Sequence, residues 1–167
     1  MFDPTIIIET ELKFDVDKIL DVYNSVKSYE NQDHQIGITS TGNNDMTSGT
    51  GRIESLKFNE EDFNILNSVF ADTYIEEVHN ILVKQYNVIR GRFMKLSGKK
   101  CYTYHVDPTW RLHIPLIANP SSIFIIDDKV YRLPEKGKVY LVNTTLVHSA
   151  INMSEHDRLH IVYGIKT

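Results

Sequence analysis

Hydrophobic and polar positions split this chain into two parts with different periods. Thr5-Ile6-Ile7-Ile8-Glu9-Thr10 is a β-branched run that predicts a strand. Asp15 then stands at an N-cap position. Behind it Val16, Ile19, Leu20, Tyr23 and Val26 recur at helical spacing, which predicts a helix with one packed face. His34-Gln35-Ile36-Gly37-Ile38 predicts another short strand. Residues 39–52 are almost wholly Thr, Ser, Gly and Asn, the composition of a mobile loop, a lid, or an insert without a role. Between about residues 60 and 86, Phe63, Leu66, Phe70, Tyr74, Val78, Ile81 and Leu82 form an apolar helical stripe. It breaks near Asp72-Thr73, where a fresh N-cap is available, and it reads as core packing.

From Asn87 onward the pattern turns to short strands. Val88–Leu96, Tyr102–His105, Leu112–Ile117, Ile123–Ile126, Lys129–Leu133, Lys138–Val142 and Leu159–Ile165 each carry strand-forming residues. Ser97-Gly98, Asn119-Pro120-Ser121, Asp127-Asp128 and Pro134-Glu135-Lys136-Gly137 punctuate them. Many short strands with closely spaced turn signals predict a mainly β fold, an antiparallel sandwich or barrel with the helices of the N-terminal part packed outside.

Composition narrows the function classes. A length of 167 residues predicts a single domain (1–167), with 1–86 as mixed support and 87–167 as the β core half. Hydrophobic residues at 41% and charged residues at 24% argue against disorder. Eighteen Lys and Arg against 22 Asp and Glu give a net charge of -4, the wrong sign for a nucleic-acid coat or a polybasic membrane binder. The lone Cys101 cannot form an internal disulfide. The first residues lack a basic, apolar leader, and no apolar run approaches the ~18 residues a spanning helix needs. These features lead us to expect a soluble cytoplasmic protein without a membrane partner; they leave its oligomeric state open.

Three features of the β half bear on chemistry. In His105-Val106-Asp107 the imidazole and the carboxylate are two apart, so an extended chain points both to one side. His148, in Leu146-Val147-His148-Ser149-Ala150, lies far enough downstream to return on a neighbouring strand. Two imidazoles and one carboxylate on one face make the arrangement that holds non-haem Fe(II) with coordination positions left open. Arg158 begins the last strand, and an arginine entering a barrel interior requires an anionic partner. A dicarboxylate spanning metal and guanidinium would be such a partner.

These residues resemble the Fe(II)/2-oxoglutarate-dependent oxygenases, within them the aspartyl/asparaginyl β-hydroxylase-like and bacterial proline-hydroxylase-like branch. The likeness covers about Arg90 to Ile165. It rests on Tyr104-His105-Val106-Asp107, Arg111-Leu112-His113-Ile114-Pro115-Leu116, Val147-His148-Ser149-Ala150-Ile151-Asn152 and Asp157-Arg158-Leu159-His160. The resemblance implies a double-stranded β-helix, the cupin-like jelly roll. It implies Fe(II) on His105, Asp107 and His148, and the distal carboxylate of 2-oxoglutarate on Arg158. Arg111 and His113 match an Arg-x-His pair that contacts cosubstrate or substrate carboxylates. The implied reaction uses O2 and hydroxylates an amino-acid side chain, free or in a polypeptide, releasing succinate and CO2. Some members of the aspartyl/asparaginyl branch carry glycine where this chain has Asp107. Residues 5–86 match nothing in that pattern, which makes them the expected seat of substrate specificity.

Each signal alone has a plainer reading. Asp107-Pro108-Thr109 is also a good turn, and a lone strand histidine such as His148 is usually a core or rim residue. Arg111 and His113 share a face and are assigned to the pocket rather than to a structural ion pair. His160 is left as packing, and His34, His79 and His156 are read as surface residues. Cys101 is read as a small buried hydrophobe, and Trp110 and Tyr104 as core aromatics or pocket walls. Arg90, Arg92, Lys95, Lys99 and Lys100 read as a polar strand face that could instead steer an anion, with nucleic acid disfavoured by the net charge. Two other function classes stay open: a non-oxidative cupin-like metal protein or isomerase, and a non-catalytic jelly roll.

Overall fold

A capped amphipathic start sets the N-terminal part. In the computed structural model, which describes residues 2–53 and 57–166, β1 (Ile7–Lys13) leads into α1 (Val16–Val26). The Asp15 carboxylate accepts from the amides of Asp17 and Lys18, satisfying two donors that the first helical turn leaves orphaned. Three two- or three-residue strands follow: β2 (Gln35–Gly37), β3 (Thr39–Ser40) and β4 (Ile65–Leu66). Thr73 caps α2 (Tyr74–Tyr86) through its hydroxyl, and Asn87 ends it in the left-handed region at φ 50°. Then come β5 (Val88–Leu96), β6 (Lys100–Cys101), β7 (Arg111–Ile117), β8 (Ser122–Ile126), β9 (Lys129–Tyr131), β10 (Lys138–Val142), β11 (His148–Asn152) and β12 (Arg158–Ile165).

The strands form two main antiparallel sheets. The larger runs β1-β10-β7-β12-β5-β2 and the smaller β6-β11-β8-β9. This is a double-stranded β-helix, as the resemblance implied. Period-2 alternation gives the large sheet two different faces. Phe93 of β5, Leu112 and Ile114 of β7, and Leu159, Ile161 and Tyr163 of β12 join one core with Ile19 of α1 and Val78 and Leu82 of α2. Burying each such side chain is worth roughly 1.5–3 kcal/mol, so this layer carries much of the stability. The alternate residues Arg92, Arg111, His113, Arg158 and Val162 line a cavity on the opposite face. Both faces of the sheet are therefore covered, and polar residues on the inner one face a function rather than bulk solvent. Among the described residues no helix is long and apolar enough to cross a membrane.

Two segments differ from the sequence expectation. Residues 60–73 form no helix; two short 3-10 turns, Glu60–Asp62 and Ser68–Phe70, flank β4. Asn67 decides this. It is fully buried, and its side-chain amide donates to Gly37 O at 2.9 Å while its backbone amide donates to Ile38 O. A side chain that satisfies a neighbouring strand competes against helix, although Phe63 and Phe70 are buried as the stripe required. The polar segment 39–52 is anchored near both ends, with Thr39, Ser40, Gly49 and Thr50 buried, while Gly42 to Asp45 and Thr47 stay exposed as a loop. Thr39 and Ser40 are buried and pair with β4, and Thr39 Oγ1 donates to Phe63 O while accepting from Gly91 N. Its hydroxyls do the work that apolar side chains do elsewhere.

Candidate metal and anion site

The end of β11 and the loop before β7 bring the predicted ligands together. His105 and His148 form an isolated antiparallel bridge, each amide donating to the other's carbonyl at 3.0 and 2.9 Å. The amide of Asp107 donates to Thr144 O at 2.8 Å. One donor atom from each of His105, Asp107 and His148 lies within 4.8 Å of the others, the spacing a single ion needs. Both imidazoles are also oriented from behind. Nδ1 of His105 lies 2.7 Å from Thr103 O, and Nδ1 of His148 lies 3.0 Å from Leu146 O. A carbonyl only accepts, so each Nδ1 must carry the proton, leaving the Nε2 lone pairs for a metal. His148 Nε2 stands 3.7 Å from Asp107 Oδ2.

Arg111 holds the carboxylate. Its Nε donates to Asp107 Oδ2 at 3.0 Å and its Nη2 reaches Oδ1 at 3.0 Å. The same guanidinium forks onto Glu60, with Nη1 to Oε2 at 2.8 Å and Nη2 to Oε1 at 2.7 Å. Glu60 also pairs with Arg90. Burial tends to raise the Asp107 carboxyl, but the charge and hydrogen bonds of Arg111, with His148 and Arg92 beyond, outweigh it and hold it below the usual carboxylate range. The same contest, won by Arg111 and Arg90, lowers Glu60. Both remain anionic at neutral pH. Space around Arg111 is made by Gly164 on β12, where a Cβ would lie 2.8 Å from its Nη1.

This geometry refines the role expected of Arg111. Its guanidinium lines the cavity, but its bonds go to Asp107, Glu60 and the Thr109 hydroxyl, so it positions the Asp107 carboxylate. His113 is buried and faces His160 across 3.4 Å between their Nδ1 atoms, a pair that the sequence reading split. Arg158 is 2% exposed and sits over the Phe124 ring at 5.1 Å. Its Nε and Nη1 are buried without hydrogen-bond partners, and no carboxylate among the described residues pairs with it. Burial lowers its pKa to about 10, which leaves it cationic at neutral pH.

Several other readings need correction. Arg90 and Arg92 are not a solvated strand face; they are 6% and 5% exposed. A bulge in β5, with Arg90 at φ 51°, turns the Arg90 amide out of the ladder toward Phe63 O and lets its side chain reach Glu60. His79 is buried and stacked on Tyr163, not on the surface. Cys101 is exposed rather than buried, and Tyr104, 56% exposed, is no core aromatic. Glu60 and Gln35 are site residues the sequence reading missed, and Arg92 it had named only within a polar strand face that could steer an anion. The available signal was the pair of arginines two apart on β5 with a third opening β7, which calls for buried acid from elsewhere.

The cavity holding these groups has a volume of about 1380 Å³. That exceeds the ~300–1,000 Å³ of ordinary small-molecule pockets, so it has room for more than one small ligand. Its far wall comes from the N-terminal part, including Gln35, Arg52, Phe58 and Glu60.

Residues 26–166, a stretch containing every one of these site groups, match the aspartyl/asparaginyl beta-hydroxylase family. The chain belongs to that family. No curated protein matches it in sequence. Solved structures similar to this β-hydroxylase family member include a cupin domain from Bordetella pertussis, 15% identical over 48% of this chain and 83% of its own, TM-score 0.42. A 2OG-Fe(II) oxygenase family oxidoreductase from Burkholderia pseudomallei is 16% identical over 53% of this chain and 54% of its own, TM-score 0.45. A predicted oxalate decarboxylase from Thermotoga maritima is 18% identical over 55% and 73%, TM-score 0.41.

Two predictions arise from this electrostatic frame. Glu60→Gln leaves Arg90 without its acid and Arg111 with only Asp107, so it should cost about 3–5 kcal/mol in denaturant unfolding. A loss below about 1 kcal/mol would mean the pairing is idle. The second concerns acid. His79, His113, His148 and His160 all titrate below the ordinary imidazole range, in each case chiefly through burial. Depressed folded-state values mean the folded protein binds fewer protons than the unfolded chain. Their contribution is present above the unfolded value of about 6.5 and is lost as pH falls through the window beneath it, at up to about 1.4 kcal/mol per pH unit for each histidine. The melting temperature of metal-free protein should therefore fall from about pH 7.5 to about pH 5.5, less steeply in His160→Phe. Parallel profiles would remove His160 from this account.

Proposed function

We propose that the protein is an Fe(II)- and 2-oxoglutarate-dependent oxygenase that hydroxylates an amino-acid side chain, free or in a polypeptide. One observation carries the reading: Arg158, a buried guanidinium with no carboxylate partner among the described residues, lines the same cavity as the convergent set His105, Asp107 and His148. The donor set suits the metal. Two imidazoles with free Nε2 atoms and an ionised carboxylate satisfy a ferrous ion's preference for nitrogen and oxygen, and three protein ligands leave room for others. Orphaned polar atoms on Arg158 suit the far carboxylate of the cosubstrate.

When bound, iron with 2-oxoglutarate and O2 supplies the oxidising chemistry, with succinate and CO2 as coproducts. The protein's own residues orient and enclose. Thr103 and Leu146 carbonyls fix the two imidazoles, and Arg111, itself anchored by Glu60, fixes the Asp107 carboxylate. His113 and His160 stay neutral beside Arg158, so they do not compete with it for an anion. We place the whole chain in one domain, residues 87–167 carrying the metal ligands and 1–86 walling the cavity. Succinate release over free amino acids and peptides, with Fe(II), 2-oxoglutarate and O2 supplied, tests this. Turnover stimulated by one substrate class and lost on chelation is expected. Metal binding without any 2-oxoglutarate consumption would favour a non-oxidative cupin-like protein.

A further inference from the structure

A second, smaller cavity of about 190 Å³ lies between the β7–β8 loop, the β9–β10 connection and the start of β12. It shares only Phe124 and Arg158 with the larger one. The pairing of β8 with β11 fixes its position. Ile126 lies opposite the proposed metal ligand His148, and Ser122, which lines the smaller cavity, lies opposite Asn152. Four residues of strand separate the two rows, roughly 13 Å, so this cavity sits toward the other end of the barrel.

Its charge is one-sided. Arg132 and Arg158 line it, no Asp or Glu among the described residues does, and burial keeps His160 neutral. The acids next to it in sequence are engaged elsewhere: Glu135 with Lys13 at 2.7 Å, and Asp157 with the amide of Gly98 and with Lys95. Arg132 is exposed, and its Nε donates to Pro120 O at 3.0 Å, which fixes the side chain at the cavity's edge.

Arg158 carries a demand that one ligand does not meet. A guanidinium forks onto an anion along one edge at a time, Nε with Nη2 or Nη1 with Nη2. Arg111 shows both edges in use: Nε and Nη2 hold Asp107, and Nη1 and Nη2 hold Glu60. The orphaned atoms of Arg158 are Nε and Nη1, one from each edge. A cosubstrate carboxylate arriving from the larger cavity serves one edge and leaves the other buried without an acceptor, which is costly.

We infer that the smaller cavity is a binding site for a small polyvalent oxyanion, phosphate or sulfate, held by Arg132 and by the edge of Arg158 that the cosubstrate leaves free. Only the other occupant of Arg158 rests on the oxygenase reading; the site stands on the cavity and its two arginines. The volume suits a tetrahedral anion with a few waters of about 30 Å³ each, and falls short of the ~300 Å³ at which pockets for larger organic ligands begin. Walls of Pro120, Leu133 and Pro134 strengthen the attraction by thinning the water around it. Filled, the site keeps Arg158 paired after the cosubstrate leaves.

Inorganic sulfate and inorganic phosphate are the probes, titrated separately by calorimetry into the full-length protein at constant ionic strength. The protein is loaded with Zn(II), which supports no turnover, and measured with and without saturating 2-oxoglutarate. Saturable binding of at least one anion is expected in both conditions. It should weaken about fivefold in Arg132→Ala, the upper range for one exposed charge pair. Without 2-oxoglutarate it should weaken roughly 30-fold in Arg158→Met. Arg92→Met, whose arginine faces only the larger cavity, should bind the anion as the parent does. No saturable binding of either anion overturns the inference. So does equal affinity in Arg132→Ala and parent, which would place the anion on the metal or in the larger cavity. Complete displacement by 2-oxoglutarate also overturns it, since the two would then share one place. If Arg132→Ala fails to fold, Ala118→Phe replaces it, filling the cavity without changing its charge, and a comparable loss is expected. Should calorimetry show no 2-oxoglutarate binding, the oxygenase reading fails, and the titrations of parent and Arg132→Ala without it still decide the smaller cavity.

Discussion

Replacing His148 by alanine should bring iron-dependent succinate release to background while leaving the fold intact. His148 is the most buried of the three proposed ligands, 4% exposed, and its imidazole is fixed by Leu146 O with Nε2 toward Asp107. Groups that merely orient metal ligands are worth about 10–100-fold, so loss of a ligand should exceed about 100-fold in metal affinity. The imidazole is not structurally essential: the bridge between residues 148 and 105 uses backbone atoms, which alanine keeps. Circular dichroism should be unchanged. Parent-like turnover in His148→Ala would remove it from the ligand set.

The second large effect belongs to Arg158. Arg158→Met should weaken 2-oxoglutarate by about 2–5 kcal/mol, the usual result of removing one partner of a buried charged pair. That is roughly 30-fold or more in affinity. Iron affinity should move little, because Arg158 makes no bond to His105, Asp107 or His148. Ligand-free stability should hold or rise, since methionine fills similar space over Phe124 without an orphaned guanidinium. This opposition separates a binding arginine from a structural one, whose loss would lower stability and leave 2-oxoglutarate affinity alone. Unchanged cosubstrate affinity would exclude it as the anchor.

What was legible in the sequence follows from the range of the forces involved. Asp15 and Thr73 announce helix starts because capping is local. The strands β5 and β10 were read to the residue because their patterns are bounded by turn residues. His105, Asp107 and His148 were legible through order and spacing together with the family likeness, and Arg158 through the need of a buried charge for an anion. The helix expected before Thr73 was not there, because Asn67 satisfies Gly37 and Ile38, contacts no local window contains. Glu60 and Arg92 were opaque for the same reason: Glu60 meets Arg111 across the barrel mouth, 51 residues away in sequence. Charge runs cannot reveal which arginines a fold turns inward. On β5 the bulge at Arg90 and the partner strand β2 settle that, and both are tertiary facts.

The whole account stands on one ferrous ion held by His105, Asp107 and His148 within reach of a 2-oxoglutarate pinned by Arg158. Anaerobic titration of the purified protein with Fe(II) and 2-oxoglutarate, followed by visible absorption, reads both at once. A weak charge-transfer band that saturates at one iron per chain, needs 2-oxoglutarate, and disappears in both Asp107→Ala and Arg158→Met is the expected result. A protein that binds iron but shows no such band at any 2-oxoglutarate concentration, or whose band survives both substitutions, would contradict it.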